Sequence, residues 1–205
     1  MTVNTARPRK KPQQARSRET FDAIVKASAR ILTEQGYDNL STNRIARTAG
    51  VSPGSLYQYF PNKEAIIAAL LDSLLDRFGT ILQKRLAEVM NEPLETAAHK
   101  MMRALVEMLA TVQPRLVRNL VEQVPRVGRR GMIGAVRQRG KDLARMYLGA
   151  HRTELRITDI DLAAFFVTSL AENLTFRIVF DRPRHLSAEY CADEAADLIV
   201  RYLAK

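Results

Sequence analysis

Residues 41–60, STNRIARTAGVSPGSLYQYF, gather the side chains of this sequence best suited to meet a polyanion. Ser55, Tyr57, Gln58 and Tyr59 carry hydroxyls and an amide that donate to phosphate oxygens or reach base edges, and Asn43 and Arg44 lie just upstream. Their spacing implies a particular scaffold. Ser41 offers an N-cap for a short helix carrying Ile45, Ala46 and Ala49, and Gly50 ends it. Ser52-Pro53 reads as a second N-cap followed by proline at the first helical position. Ala46 is small enough for the two helices to cross closely, Val51 plugs between them, and Leu56 and Phe60 point inward. This is helix-turn-helix spacing, with Lys63 at the start of the helix that follows.

The charge distribution agrees with a nucleic-acid partner. The 205 residues hold 32 Lys or Arg against 22 Asp or Glu, a formal net charge of +10. Residues 1–63 carry eleven basic and four acidic side chains, a net +7, and residues 115–156 carry eleven and three, a net +8. A charge run alone is as often a solvated face as a footprint, so the first block draws its meaning from the motif it contains. Arg7, Arg9, Lys10, Lys11, Arg16 and Arg18 form a basic tail expected to follow a phosphate ridge or enter a minor groove, the alternative being a solubilising tail.

Other chemistry has little support. Cys191 is the one cysteine, which excludes an intrachain disulfide and a zinc-ribbon or redox cysteine pair. His99, His151 and His185 are far apart, with no carboxylate or second histidine read at ligand spacing, so structural or surface roles are expected, and no catalytic residue, metal or cofactor. GRRGMIG, with Gly128, Gly131 and Gly134, lacks the strand and spacing of a phosphate loop and reads as a loosened helix start. The N-terminus has no apolar stretch of a secretory signal, and the longest wholly apolar run, Ala65 to Leu71, falls far short of the roughly 18 residues a span requires. A soluble, cytoplasmic chain without a membrane partner is expected.

The elements that must position these residues are helical throughout. Phe21, Ile24, Ser28 and Ile31 form one stripe that Gly36 ends. A long helix runs from Lys63 to about Met90. Pro93 and Pro114 open two more, Pro125 separates a further segment running to Leu155, Thr158 and Asp159 cap a helix through Phe180, and Ser187 starts the last. The fold class is all-α, about nine helices. An N-terminal helix-turn-helix domain (1–64) precedes a larger ligand-binding and dimerisation domain (65–205). Between Leu162 and Phe180 apolar residues point in nearly every direction, more than one small subunit buries. The economical answer is a homodimer with Val167, Leu170, Leu174, Cys191, Ala195, Leu198 and Tyr202 at its interface, the alternative being an unusually central helix in a monomer.

The run IARTAGVSPGSLYQYFPNKEAI resembles the signature of TetR-family transcriptional regulators almost residue by residue, within a match from about Arg18 to Leu71. The remainder is similar only in length, helical character and a terminal helix pair. The resemblance implies a dimeric DNA-binding protein, usually a repressor of a palindromic operator, released by a small molecule. It implies DNA contacts from Thr42, Asn43 and Arg44 on one helix and from Pro53, Gly54, Ser55, Tyr57, Gln58 and Tyr59 on the next, with Lys63 on a phosphate. Gly54 reads nothing, which leaves base specificity mainly to Gln58 and Arg44, with Ser55 and Tyr59.

Phe78, Leu82, Met101, Met102, Leu105, Leu109, Phe165, Phe166 and Phe176 are the candidate walls of an effector pocket, so a largely hydrophobic ligand is expected. Arg115, Arg118, Arg126, Arg129, Arg130, Arg137, Arg139 and Arg145 point to an anionic head on that ligand, such as a fatty acid or acyl-coenzyme A, against the alternative that they are solvated. Two other classes remain open at this stage: a sequence-neutral architectural DNA-binding protein, and a helical-bundle enzyme with a basic tail.

Overall fold

The structure, a computed structural model, describes residues 15–123, 127 and 130–205. Residues 7–11 of the basic tail, Pro125, Arg126, Gly128 and Arg129 lie outside the described residues. Nine α-helices follow in chain order among those described: α1 (Ala15–Gln35), α2 (Thr42–Ala49), α3 (Pro53–Tyr59), α4 (Lys63–Val89), α5 (Leu94–Ala110), α6 (Pro114–Gln123), α7 (Arg130–Ala150), α8 (Ile160–Phe180) and α9 (Ala188–Leu203). A short 3-10 turn, Arg152–Glu154, lies between α7 and α8. The sole β-type pairing among the described residues is an isolated antiparallel bridge between Leu155 and Ala204.

Local sequence sets the boundaries. Ser41, Ser52, Asp159 and Ser187 each accept a backbone N–H from the residue three further on, filling one of the four donors that a helix N-terminus leaves unpaired. Gly36 and Gly50 adopt φ of +77° and +69°, the left-handed turn that stops α1 and α2 and that a side chain would strain.

By packing, the chain forms two compact units. One comprises the described residues through Asp76 together with those of Gln113–Ile133. Here α1 packs against α2 and α6, and α2 against α3. Its core is Ile24, Leu32, Leu40, Ile45, Leu56, Phe60, Ile66 and Ile67, all at most 1% exposed, and Asn119 of α6 donates to the Leu32 carbonyl of α1 at 2.8 Å.

The other unit comprises Arg77–Val112 and Gly134–Lys205, in which α5 packs on α8 and α9, and α8 on α9. Met102, Val106, Leu148, Ala163, Ala164, Ala192, Ala196, Ile199 and Leu203 centre its core. α8 differs from the expectation drawn from uninterrupted apolar runs. Its few polar residues break every run yet leave a mean hydropathy of 1.4, so among the described residues it is the one helix long and apolar enough to cross a membrane. Little of it is covered within the chain: Leu162, Phe165, Phe166 and Phe176 are 38–47% exposed, and Leu198 on α9 is 55% exposed.

Candidate nucleic-acid interface

The helix-turn-helix is built on four side chains with no exposed surface. Ile45 and Ala46 of α2, Leu56 of α3 and Phe60 at the end of α3 are all 0% exposed, and the Phe60 ring lies 4.8 Å from that of Phe21 on α1. Between the helices, the Val51 N–H donates to the Ala46 carbonyl at 3.0 Å. With Leu56 and Phe60 buried at spacing four, helical geometry turns residues 54, 57 and 58 outward. Pro53, Gly54, Tyr57 and Gln58 are exposed, as is Asn43 on α2. A Cβ built on Gly54 meets only the Ser52 hydroxyl, at 3.8 Å.

Several of the polar residues are already engaged within the chain. The Thr42 and Tyr57 hydroxyls are 3.0 Å apart, joining the start of α2 to α3. Tyr59 reaches the other way, its hydroxyl 2.9 Å from Ser17 on α1 and its ring edge-on to Phe21. Ser55 Oγ is 2.8 Å from Ser52 Oγ. Arg44 is turned toward the end of α1, its Nη1 donating to Gln35 Oε1 at 2.6 Å and to Asn39 Oδ1 at 3.4 Å. Gln58 and Asn43 make no side-chain bond among the described residues, which leaves their amides open to a partner. Arg18 is exposed on the first turns of α1.

Lys63 opens α4, and Asn62 Oδ1 caps that helix by accepting from the Ala65 N–H at 2.9 Å. The Lys63 ammonium stands 4.1 Å from the centroid of the Tyr37 ring, and the Tyr37 hydroxyl donates to Glu64 Oε1 at 3.0 Å. Ser17 and Tyr37 touch candidate-site residues, Tyr59 and Lys63, and are ones that sequence reasoning missed. Each pairs across at least 26 positions, so no local pattern marks it.

The expected pocket residues are not gathered at one place. Leu82, Met101 and Leu105 meet Ile81, Ala104 and Met108 along a seam between α4 and α5 with no room for a water molecule. An adjoining open groove of about 370 Å³ shares Arg85, Met101 and Ala104 with that seam and adds Glu88, Lys100, Arg103 and Glu107. Met102 is a core residue at 1% exposed, Phe78 and Leu109 are half-buried outside both features, and Phe165, Phe166 and Phe176 stand on the open face of α8. Of the expected interface residues, Leu198 is exposed, Val167, Leu170, Leu174, Cys191 and Tyr202 are half-buried, and Ala195 is buried within the chain.

Arg137 forks onto both oxygens of Glu172 at 2.9 Å, and Arg145 bonds Asp142 at 2.9 Å and also Asp161. Arg139 donates to Gln83 at 2.6 Å, while Arg115 and Arg118 are exposed.

Two of the three histidines do have carboxylate partners. His99 lies between Asp193, 3.3 Å from Nδ1, and Asp197, 3.0 Å from Nε2, both contributed by α9. Arg103 forks onto Asp193 at 2.7 Å, and these bonds hold that carboxyl down at about 2. His151 faces Glu154, three residues on, at 2.6 Å through Nδ1 and the Met90 carbonyl at 3.0 Å through Nε2. Among the described residues no three His, Cys, Asp or Glu side chains are placed to hold one metal ion.

A family model described as bacterial regulatory proteins of the tetR family matches residues 24–70, and a second, described as a tetracyclin repressor-like C-terminal domain, matches residues 93–203. The chain is similar to the HTH-type transcriptional regulator HbdR of Aromatoleum sp. (strain CIB), 34% identical over 76 residues, which is 37% of this chain. That match spans only 33% of the length of HbdR. Among solved structures, a TetR-family transcriptional regulator of Mesorhizobium loti superposes with a TM-score of 0.70 at 20% identity, covering 94% of this chain and 100% of the other. AibR, solved with isovaleryl coenzyme A and operator DNA, gives 0.65 at 19% identity, with 87% and 97% covered.

Proposed function

We propose that this chain, which belongs to the TetR family of bacterial regulatory proteins, is a homodimeric repressor that binds a palindromic operator and is released by a largely hydrophobic small molecule. Residues 1–64 meet the DNA and residues 65–205 hold the effector and the second subunit. It acts in the cytoplasm, without catalysis. The observation that carries the reading is the outer face of α3, where Gln58 and Tyr57 project from a helix whose inner face, Leu56 and Phe60, is fully buried. A short helix so anchored enters a major groove as a rigid body, which makes side-chain readout of base edges possible.

The internal bonds divide the labour among the proposed contacts. Gln58 is the base reader, because its amide is uncommitted among the described residues. Thr42 and Tyr57 act as a hydroxyl pair on one phosphate, and Ser55 and Tyr59 donate after exchanging their partners Ser52 and Ser17 for DNA. Asn43, Pro53 and Gly54 pack against the backbone, Arg18 adds charge from α1, and Lys63 meets a phosphate at the positive end of α4. Arg44, bonded to Gln35 and Asn39, supports the turn before α2 and reaches bases only by leaving them.

The exposed apolar residues of α8 and α9 support a second copy as their cover, since a face containing Leu162, Phe165, Phe166 and Leu198 is larger than the scattered apolar residues of an ordinary surface. The methionine-lined seam between α4 and α5 supports entry of a hydrophobic effector by side-chain rearrangement, methionine being the most adaptable wall. For an anionic head, Arg85, Lys100 and Arg103 stand together at the adjoining groove; like Arg137 and Arg145 each is paired with a carboxylate, here Glu88, Glu92 and Asp193, which the head would displace. The complex of AibR with isovaleryl coenzyme A and operator DNA is in keeping with that ligand class.

Selection from a random duplex library on the purified chain tests the reading. Enrichment of a palindrome whose half-sites lie about one helical turn apart, or slightly more, is expected. Retention of all duplexes alike would replace the repressor with a sequence-neutral DNA protein, and retention of none would remove the DNA-binding reading.

A further inference from the structure

We infer that Tyr37 is a positioning residue for DNA: it holds the Lys63 ammonium in place for a phosphate and keeps the neighbouring Glu64 carboxylate from neutralising it. The inference rests on the reading of α2 and α3 as a DNA-binding unit, and the experiment below separates the two.

Lys63 and Glu64 are adjacent at the start of α4 and opposite in sign. Without a third group, a lysine on a four-carbon stem beside a carboxylate can fold onto it, and the site then presents a neutral pair to DNA. Tyr37 engages both members at once. Its ring face lies 4.1 Å from the Lys63 ammonium, well within the roughly 6 Å over which a cation is drawn to an aromatic quadrupole. Its hydroxyl donates to Glu64 Oε1 at 3.0 Å. A ring attracts the cation without cancelling its charge, whereas the hydroxyl occupies an acceptor of the carboxylate, so one side chain separates the pair.

The placement of Tyr37 is itself built into the backbone. It follows Gly36, whose φ of +77° turns the chain out of α1, and its carbonyl accepts the Leu40 N–H at 3.0 Å in the turn that leads to α2. The ring is half-buried, and the ammonium it holds lies where the unpaired N–H groups of a 27-residue helix already favour an anion. Glu64 gains from the same positive end and needs no contact with Lys63 to be stabilised there. An ammonium fixed in advance loses less side-chain freedom on meeting a phosphate, for a residue whose rotamer entropy is among the largest.

The test is the salt dependence of binding to a fluorescein-labelled mixed-sequence duplex, for the wild type, Lys63→Ala, Tyr37→Leu, Tyr37→Phe and the double variant Lys63→Ala/Tyr37→Leu. Each phosphate neutralised contributes about 0.9 to the slope of log affinity against log salt. Lys63→Ala and Tyr37→Leu are each expected to lower the slope by about one unit, the double variant by no more than either, and Tyr37→Phe, which keeps the ring, by much less. A wild-type slope in Tyr37→Leu, or additive losses in the double variant, overturns the positioning role and leaves the DNA-binding reading intact. A wild-type slope in Lys63→Ala overturns both the phosphate contact and this inference, and a wild type that binds no duplex overturns the DNA-binding reading itself. Should Tyr37→Leu unfold, the nuclear resonances of the Lys63 ε-methylene in the wild type decide. An upfield ring-current displacement that Tyr37→Phe preserves is expected, and ordinary lysine shifts overturn the inference.

Discussion

Replacing His151 with alanine tests a junction on which four elements of the second unit converge. The ring bonds Glu154 of the 3-10 turn and the Met90 carbonyl just after α4, and it stacks on Tyr147 of α7 with centroids 4.3 Å apart. Glu154 in turn accepts the Leu94 N–H at the start of α5 at 2.9 Å. The substitution removes two hydrogen bonds at about 1 kcal/mol net each and a stacked ring at roughly 0.5 to 1.5 kcal/mol. Charge assistance adds little, because the Glu154 side chain is 39% exposed and water replaces much of its lost partner. The loss is therefore about 2 to 4 kcal/mol, which at roughly 2 to 4 °C per kcal/mol for a chain of this size lowers the melting midpoint by about 4 to 16 °C.

The pH profile of that difference is the sharper signature. The Met90 carbonyl first, and the Glu154 carboxylate next, favour the protonated ring and raise His151 above its ordinary 6.5 in the folded chain. Its contribution is complete below 6.5 and is lost as pH rises through the raised value. Glu154 runs the opposite way. The Leu94 N–H and then His151 hold it below its ordinary 4.5, so its contribution is present above 4.5 and disappears as pH falls through the lowered value. The gap between wild type and His151→Ala is expected to be widest between pH 4.5 and 6.5 and to narrow on both sides. Circular-dichroism melts of both proteins across that range measure it. Parallel curves from about pH 4 to about pH 9 would refute the reasoning that the folded state holds a charged ring.

Gln58→Ala is expected to cost roughly 1 to 3 kcal/mol on the selected operator and to flatten preference at particular base pairs, an unchanged binding-site profile in competition assays removing it as reader. Ser52→Ala deprives α3 of a cap that bonds the Ser55 N–H at 3.0 Å; a loss of about 1 kcal/mol in chemical denaturation is expected, and none would mean that the turn before α3 is fixed elsewhere. Phe166→Asp places a charge in the proposed intersubunit face and is expected to yield monomers with unaltered helix content by light scattering; a persistent dimer would move the interface off α8. Anionic amphiphiles are expected to raise the melting midpoint and release operator DNA, with Arg103→Ala reducing the response; stabilisation by cationic or neutral compounds alone would discard the anionic head.

Legibility from the sequence followed the range of the interaction. The caps at Ser41, Ser52, Asp159 and Ser187 are contacts between residues three apart, and the proline and glycine stops act at their own positions, so the element boundaries could be read directly. The inward residues Ile45, Ala46, Leu56 and Phe60 were equally plain, because helical period and burial are the same statement in a short helix. What a side chain bonds across the fold left no mark. Arg44 reads as a base contact until Gln35 is found nine residues back, and His99 reads as solitary until α9 brings two aspartates to it from 94 and 98 positions away. His151 and Glu154 are the instructive case: in the sequence no histidine reads as having a carboxylate at ligand spacing, yet Glu154 stands only three residues on and closes on the ring at 2.6 Å. The apolar surplus of α8 was legible as a quantity, but its direction was not. Phe165, Phe166 and Phe176 read from the sequence as pocket walls, and within one chain the fold leaves them exposed.

Gly54 gives this reading head an evolutionary latitude. The position lies in the first turn of α3, faces outward, has no left-handed backbone requirement, and leaves an added Cβ in ordinary van der Waals contact with a single hydroxyl. A Cβ there is accepted by the fold without repacking, and most side chains raise the helix propensity of α3 relative to glycine. On the proposed reading of α3, a duplicated copy of this gene can therefore acquire a new operator preference through one codon, before any change in its core. Divergence by that route begins from a blank position and does not require an established contact to be lost first.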